Sequence, residues 1–463
     1  MSTAHPSGAA GFWTLRRVAD ALKSLANVNV PSDDRPVARV WADTRSVHPG
    51  DLFVALKGET FDAHEFVKDA VAKGAIAVVV SRPFANLGVP VIEVPDTLVA
   101  LGALGRYRRR AWNGPVVAVA GSNGKTSTKE LINAALSSQL TVHYTTGNLN
   151  NLVGVPLTLL AIPDDANVAV VEMGTNQPGE VAALRRIIEP TLAVITSVGE
   201  EHLEGLGDVA GVLREELSVC DGVPVVVTPA SQPEIGDGAR RRARRVVEAG
   251  LDGGDLRATE WKVEPNGTGT MTVDGVRIVV PLRGAHNLRN AMLALAVARE
   301  LGIAIEAAGA GIAAMSQPPM RVNWEEIGRA TLINDAYNAN PPSTRAAIEL
   351  LTHAGAGRQR VAIIGTMLEL GSQGRQLHED VARTALASPV ELIGGVGEFG
   401  VALAAVGPGD PRVVTAADPV AVWAGLVSRV ERNAVILLKG SRGVRLEQIV
   451  PAITAWATHL TSD

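Results

Sequence analysis

Short apolar runs of strand length alternate along this chain with longer stretches in which apolar positions recur every three or four residues. Near the start, that pattern predicts strands at Ala77–Val80 and Val89–Val94 and helices at Ala63–Ala72 and Thr97–Arg109, a small α/β unit. The basic helix end Arg106–Arg110 runs into Trp112-Asn113-Gly114-Pro115, a turn cluster that places a boundary before the next strand. From there strands Val116–Ala120, Val168–Val171 and Leu192–Thr196 alternate with helices Thr126–Leu136 and Val181–Ile188, which reads as a parallel sheet with helices on its faces. The polar, glycine-rich stretch Leu251–Ile278 predicts added hairpins, and a helix follows at Asn287–Leu301. A second boundary falls near Gln317-Pro318-Pro319, after which Val361–Ile364, Leu392–Gly395 and Val435–Leu438 are strands of a third unit. The expected fold class is α/β in three domains, 1–113, 114–318 and 319–463, the last Rossmann-like. That suits a prior of about 150 residues per domain.

Composition narrows the function classes. The 463 residues are 46% hydrophobic and 20% charged, ordinary for a globular protein with a large core. A net charge of -5, from 43 basic and 48 acidic side chains, argues against a general nucleic-acid binder. Cys220 is the single cysteine, so no intrachain disulfide or multi-thiolate zinc site can form. The first 18 residues run into an amphipathic stretch without a cleavage site, and no apolar run reaches the roughly 18 residues of a membrane span. A cytoplasmic protein without membrane insertion is expected.

The sharpest chemical signal is Gly121-Ser122-Asn123-Gly124-Lys125-Thr126, between the strand Val116–Ala120 and a helix. Glycines let backbone N–H groups converge on phosphate oxygens, the helix N-terminus adds positive potential, a lysine reaches the outer phosphates, and the threonine offers a hydroxyl to Mg²⁺. The loop is a short variant, because Val119 stands where the full P-loop pattern has its first glycine.

The loop resembles that of the Mur ligases and folylpolyglutamate synthetases, and further motifs follow in order. Thr146-Gly147-Asn148-Leu149-Asn150-Asn151, Glu172-Met173-Gly174, His202-Leu203-Glu204-Gly205 and Gly284-Ala285-His286-Asn287 with Asn290 look like their central domain. Asn334-Asp335-Ala336-Tyr337-Asn338-Ala339-Asn340-Pro341, Met367-Leu368-Glu369-Leu370-Gly371 and Lys439-Gly440-Ser441-Arg442-Gly443 resemble the branch that adds D-alanyl-D-alanine to a UDP-linked muramoyl tripeptide. Asp43-Thr44-Arg45 with Lys57-Gly58 resembles its UDP-sugar-binding domain. The resemblance implies an ATP-dependent ligase working through an acyl phosphate, with Mg²⁺ as cofactor and small molecules as partners: ATP, UDP-MurNAc-tripeptide and D-Ala-D-Ala. A monomer is expected.

Residue by residue, it implies that Gly121 to Ser127 hold the phosphates and that Lys125, Glu172 and His202 are catalytic. Thr126, Glu172 and His202 would bind metal, and His286, Asn287, Asn290, Arg321 and Asp335 would bind the rest of ATP. Asp43, Thr44, Arg45, Lys57, Asn148, Asn151, Asn338, Asn340, Lys439, Ser441 and Arg442 would contact the other substrates. The family has a carbamylated lysine after the His-Leu-Glu-Gly segment, and this chain has no lysine between Lys129 and Lys262. Glu216 occupies that place, with Glu215 beside it, and is expected to stand in as a metal ligand. Arg240-Arg241-Arg242-Ala243-Arg244-Arg245 is expected to be a solvated helix face rather than a nucleic-acid site. Two alternatives remain at this point: another ligase of the same family, including a folate-polyglutamylating one, and a nucleotide-binding module without catalysis.

Overall fold

The structure is a computed structural model and describes residues 11–25, 33–58, 60–316 and 322–458. Its centre is a seven-stranded sheet, parallel throughout. The strand order is Leu256–Arg257, Arg245–Gly250, Val225–Pro229, Leu192–Ile195, Val116–Ala120, Val168–Glu172 and Val142–Tyr144. The run Val116-Val117-Ala118-Val119-Ala120 is fully buried because it sits mid-sheet with both faces covered. Val116, Ala118 and Ala120 pack with Val155, Leu159, Leu184 and Val212 on one side. Val117 and Val119 pack with Leu131, Ile132 and the helix Ala285–Glu300 on the other. Strand order reverses at Val116–Ala120: the next two strands lie to one side and the later ones to the other. A crevice opens at the carboxyl end of such a strand, and the phosphate loop starts there.

The first unit is a four-stranded parallel sheet, Val40–Trp41, Leu52–Val54, Ala77–Val80 and Val91–Glu93 in that order. The segment expected as one helix over Ala63–Ala72 is a 3₁₀ turn, Ala63–Phe66, followed by an α-helix, Val67–Ala72, with Asp62 accepting from His64 N–H at the start. Helix Thr97–Trp112, capped by Asp96, carries the chain to the central unit. It ends at Asn113, whose φ of 57° is the left-handed conformation of a helix stop. Its Arg109 side chain donates to the carbonyls of Ile188 and Glu189, fastening the first unit to the end of helix Glu180–Ile188.

The third unit is a six-stranded sheet in the order Asn323–Ile327, Ala330–Asp335, Val435–Lys439, Arg360–Ile364, Leu392–Val396 and Val413–Ala416. Only the first strand pairs antiparallel. The predicted hairpins form a three-stranded antiparallel sheet, Glu260–Val263, Thr268–Val273 and Val276–Arg283. The expected second boundary at 317–319 lies outside the described residues. Among the described residues no helix is long and apolar enough to cross a membrane.

One expectation is corrected. The arginine run is not a helix face: the helix Pro233–Arg240 ends inside it, and Arg245 opens a sheet strand. Carboxylates take up its charge, Asp237 and Glu248 on Arg240, Asp221 on Arg242 and Glu300 on Arg245.

Candidate active site

The loop Gly121–Gly124 is wedged against the end of strand Leu192–Ile195. Ser122 N–H donates to Ser197 O at 2.8 Å and Asn123 N–H to Ser197 Oγ at 3.0 Å, while Thr196 Oγ1 donates to Asn123 O at 2.6 Å. Gly124 then opens the helix Lys125–Leu136 with φ +84° and no side-chain cap. A Cβ there would lie 2.8 Å from Asn290 Oδ1, so both backbone and space require glycine. The first turn of that helix points its N–H groups into the crevice, an anion site by construction. Lys125 folds back over the loop, with Nζ on Gly121 O at 2.5 Å and Ser122 O at 3.0 Å and 3.7 Å from Glu201 Oε2.

Opposite the loop, Glu172 ends strand Val168–Glu172 and is 2% exposed. Its Oε1 accepts from Thr126 Oγ1 at 3.2 Å and from Asn150 Nδ2 at 2.9 Å. Oε2 is buried without a hydrogen-bond donor, 3.9 Å from the ammonium of Lys129. Glu201 Oε2 is likewise buried without a donor. The Glu172 carboxylate and the Thr126 hydroxyl hydrogen-bonded to it are hard-oxygen donors of the kind that fit Mg²⁺. Among the described residues no three His, Cys, Asp or Glu side chains converge as a metal cluster, so phosphate oxygens and water would complete the coordination.

His202 has φ +53° and joins two units. Its Nδ1 pairs with Glu369 Oε2, and Nε2 lies 3.6 Å from Glu201 Oε1. Burial opposes the imidazolium, but the Glu369 hydrogen bond and the Glu201 charge outweigh it and raise the pKa. Glu369 is correspondingly held below the usual carboxylate range by that hydrogen bond. Neither Glu201, Glu369 nor Lys129 stood out as a site residue in the sequence. Glu369 lay within a family-like motif, but nothing in the spacing reveals that Glu201 and Lys129 are buried.

A cleft of about 750 Å³ collects most of the expected residues. Ser122 to Ser127, Asn148, Asn151, Glu172 and His202 line it from the central unit, as do His286, Asn287 and Asn290. Asp335, Asn338 and Lys439 line it from the third. Asn290 Nδ2 donates to Asn287 Oδ1 at 3.0 Å, and Asn287 Nδ2 lies 3.1 Å from His286 Nε2. Burial pushes His286 down to about 4, so the ring is neutral at pH 7. Lys439 Nζ bridges Asp335 Oδ2 and Asn338 O, each at 2.7 Å. A smaller cavity of about 220 Å³ adjoins, lined by Glu201, His202, Asn338, Asn340, Glu369, Ser441 and Arg442 among others. Asn340 Nδ2 donates to Asn123 Oδ1 at 2.9 Å, tying the phosphate loop to the third unit.

Other expected residues lie elsewhere. Gly121 sits behind the loop, and Glu216, 2% exposed, is not on the cleft wall; its Oε2 accepts from Gly121 N–H at 2.7 Å. Burial raises the Glu216 carboxyl to about 7. Glu215 accepts from Gly179 and Val181 N–H at 2.8 and 2.7 Å, holding the start of helix Glu180–Ile188. Asp43, Thr44, Arg45 and Lys57 lie in the first unit and do not line this cleft; Asp43 pairs with Arg45 at 2.8 Å. Arg321 lies outside the described residues.

Three family models match the chain. "Mur ligase family, catalytic domain" covers residues 36–109, "Mur ligase middle domain" 119–298 and "Mur ligase, glutamate ligase domain" 320–442. The UDP-N-acetylmuramoyl-tripeptide--D-alanyl-D-alanine ligase of Escherichia coli (strain K12) is 35% identical over 447 residues, 93% of this chain and 97% of that one. The Bacillus subtilis (strain 168) protein of the same name is 34% identical, over 94% and 97%. Among solved structures, MurF from Acinetobacter baumannii matches with TM-score 0.87 at 31% identity, covering 96% of this chain and 99% of that one. MurF ligase from Thermotoga maritima in complex with ADP matches with TM-score 0.81 at 26% identity, over 90% and 97%.

Proposed function

The chain belongs to the Mur ligase family, and from that premise we propose that it adds D-alanyl-D-alanine to UDP-N-acetylmuramoyl-tripeptide with ATP, in peptidoglycan synthesis. One observation carries the assignment of roles: the phosphate loop and the third unit's Asp335, Asn338 and Lys439 line the same cleft.

A carboxylate is a poor acylating agent. A tripeptide carboxylate oxygen attacks the γ-phosphorus, ADP leaves, and the resulting acyl phosphate is attacked by the dipeptide amine with loss of phosphate and a proton. Such in-line transfer needs positioning and charge neutralisation more than a side-chain nucleophile. Lys125 leaves its loop carbonyls and moves onto the γ-phosphate, while the first helical turn after Gly124 holds the β-phosphate. Mg²⁺ would be held by Thr126 and Glu172, with His202 nearby, and neutralises phosphate charge when bound. His286, Asn287 and Asn290 receive adenine, and Asp335 the ribose. Asn148 and Asn151 face the muramoyl peptide. Asn338, Lys439, Ser441 and Arg442 form the side toward the dipeptide, in part by shaping the wall. Asp43, Thr44, Arg45 and Lys57, at the carboxyl ends of the first sheet's strands, take the uridine diphosphate end. The domains 1–113, 114–318 and 319–463 thus serve UDP, ATP and the incoming dipeptide, in a monomer working in the cytoplasm, where ATP is.

The test is ADP release measured with each substrate omitted in turn, and with other amino acids or glutamate in place of the dipeptide. Release should need both the tripeptide and D-Ala-D-Ala. Turnover with glutamate and folate would transfer the chain to the folate branch, and ADP release independent of both substrates would reduce it to a nucleotide hydrolase.

A further inference from the structure

Glu216 is a buried acid that the reaction scheme leaves unused. It closes the helix Val209–Glu216 and points its Oε2 at the N–H of Gly121, 2.7 Å away, from behind the phosphate loop. Gly121 has φ +120° and no room for change, since a Cβ would lie 2.4 Å from Thr196 Oγ1. Its carbonyl, on the other side of the residue, receives Lys125 Nζ. The next two N–H groups, of Ser122 and Asn123, are bound to Ser197. The three N–H groups at the loop's start therefore face backward onto protein acceptors, and the donors turned toward a phosphate begin at Gly124. Of the three backward bonds, only the first is made to a carboxylate.

We infer that Glu216 is a positioning residue for the phosphate loop: it fixes the Gly121 peptide by accepting its N–H, and does not ligate metal. The cleft wall does not include it. The bond fixes the Ala120–Gly121 peptide, next to the Gly121–Ser122 peptide whose carbonyl holds Lys125 and whose N–H is held by Ser197. The role asks for an acceptor in this place and not for a charge, which separates it from metal ligation.

This rests on the ATP-binding reading of the cleft, and the experiment distinguishes the two. ADP affinity is measured by calorimetry in EDTA and again with Mg²⁺ for wild type, Glu216→Gln and Glu216→Ala, with melting curves for all three. A glutamine oxygen still accepts from Gly121, so Glu216→Gln should bind Mg²⁺-free ADP within about twofold of wild type and keep its Mg²⁺ increment. Glu216→Ala should lose about tenfold in Mg²⁺-free ADP affinity, the scale of leaving one buried donor without its acceptor. Its KM for D-Ala-D-Ala should be unchanged. Equal Mg²⁺-free affinity in all three proteins, with the Mg²⁺ increment lost in both variants, would overturn the inference in favour of metal ligation. A loss in Glu216→Gln as large as in Glu216→Ala would also overturn it. Should Glu216→Ala fail to fold, the glutamine variant alone decides between the two roles. Absence of ADP binding by wild type would refute the nucleotide reading itself.

Discussion

Lys125 makes no hydrophobic contribution that the fold needs, and its ammonium rests on two loop carbonyls. Lys125→Ala should therefore cut turnover by about a thousandfold, on the scale of losing a charge-stabilising group in phosphoryl transfer, while the melting temperature stays within about two degrees. Wild-type turnover would end the loop's assigned role. His286 offers a pH test. Its folded pKa, about 4, lies below the ordinary imidazole value of 6.5, so between those values the unfolded chain holds a proton that the folded chain lacks. The stability it contributes is complete above pH 6.5 and is lost as pH falls through 4. The ring borders the cleft, so about 2 kcal/mol is the upper range. Urea unfolding at pH 7 and pH 5 should show His286→Gln closing that much of the gap with wild type; parallel curves would show that the ring titrates normally. At this scale the sequence displayed its loop, its cleft asparagines and Glu172, because glycine and lysine spacing carry geometry directly. It did not display Glu201 or Lys129, whose importance comes from burial beside a partner distant in the chain. Glu216 was expected among the metal ligands, and the sequence did not show that its carboxylate accepts from Gly121 N–H away from the cleft wall.

At the scale of elements, the clearest sequence signals were uninterrupted apolar strands such as Val116–Ala120, which a parallel sheet covered on both faces requires. Strands with mixed composition went unread. Asn323–Ile327 reads Asn-Trp-Glu-Glu-Ile, mostly polar, at the edge of the third sheet, and Arg245–Gly250 begins with a charged residue. The arginine run misled for a related reason: composition reports charge, and tertiary pairing decides whether the backbone beneath it coils or extends. Helix Pro341–Ala354 shows an element carrying part of the site. Asn340 caps it in a reciprocal capping box with Ser343 and reaches Asn123 with its other amide atom. Asn340→Ala removes both contacts and should lower stability by about 1 kcal/mol. Asn340→Ser restores a cap without the reach, and should recover stability but not ATP affinity. If serine recovers both, the Asn123 contact contributes nothing to nucleotide binding.

For the whole molecule, the third unit meets the central one through a continuous apolar cluster, with Leu203 and Leu206 on one side and Met367 and Leu370 on the other, and through polar ties: Asn340 with Asn123, His202 with Glu369, Glu204 N–H with Glu369 O at 3.2 Å, and Gln373 Nε2 with Gly207 O at 3.1 Å. A nucleotide held between the loop and Asp335 should draw the units together. Amide hydrogen exchange at Glu204 should slow at least tenfold with ADP and Mg²⁺, and an unchanged rate would show that the cleft does not tighten around its nucleotide. The Asn123–Asn340 pair has one more consequence. It makes the triphosphate cradle and the wall of the smaller cavity parts of one thermodynamic cycle, and in such a cycle influence cannot run one way. By whatever factor a filled cradle raises affinity for a guest in the smaller cavity, that guest must raise affinity for nucleotide by the same factor. Neither site can favour the other without being favoured in return.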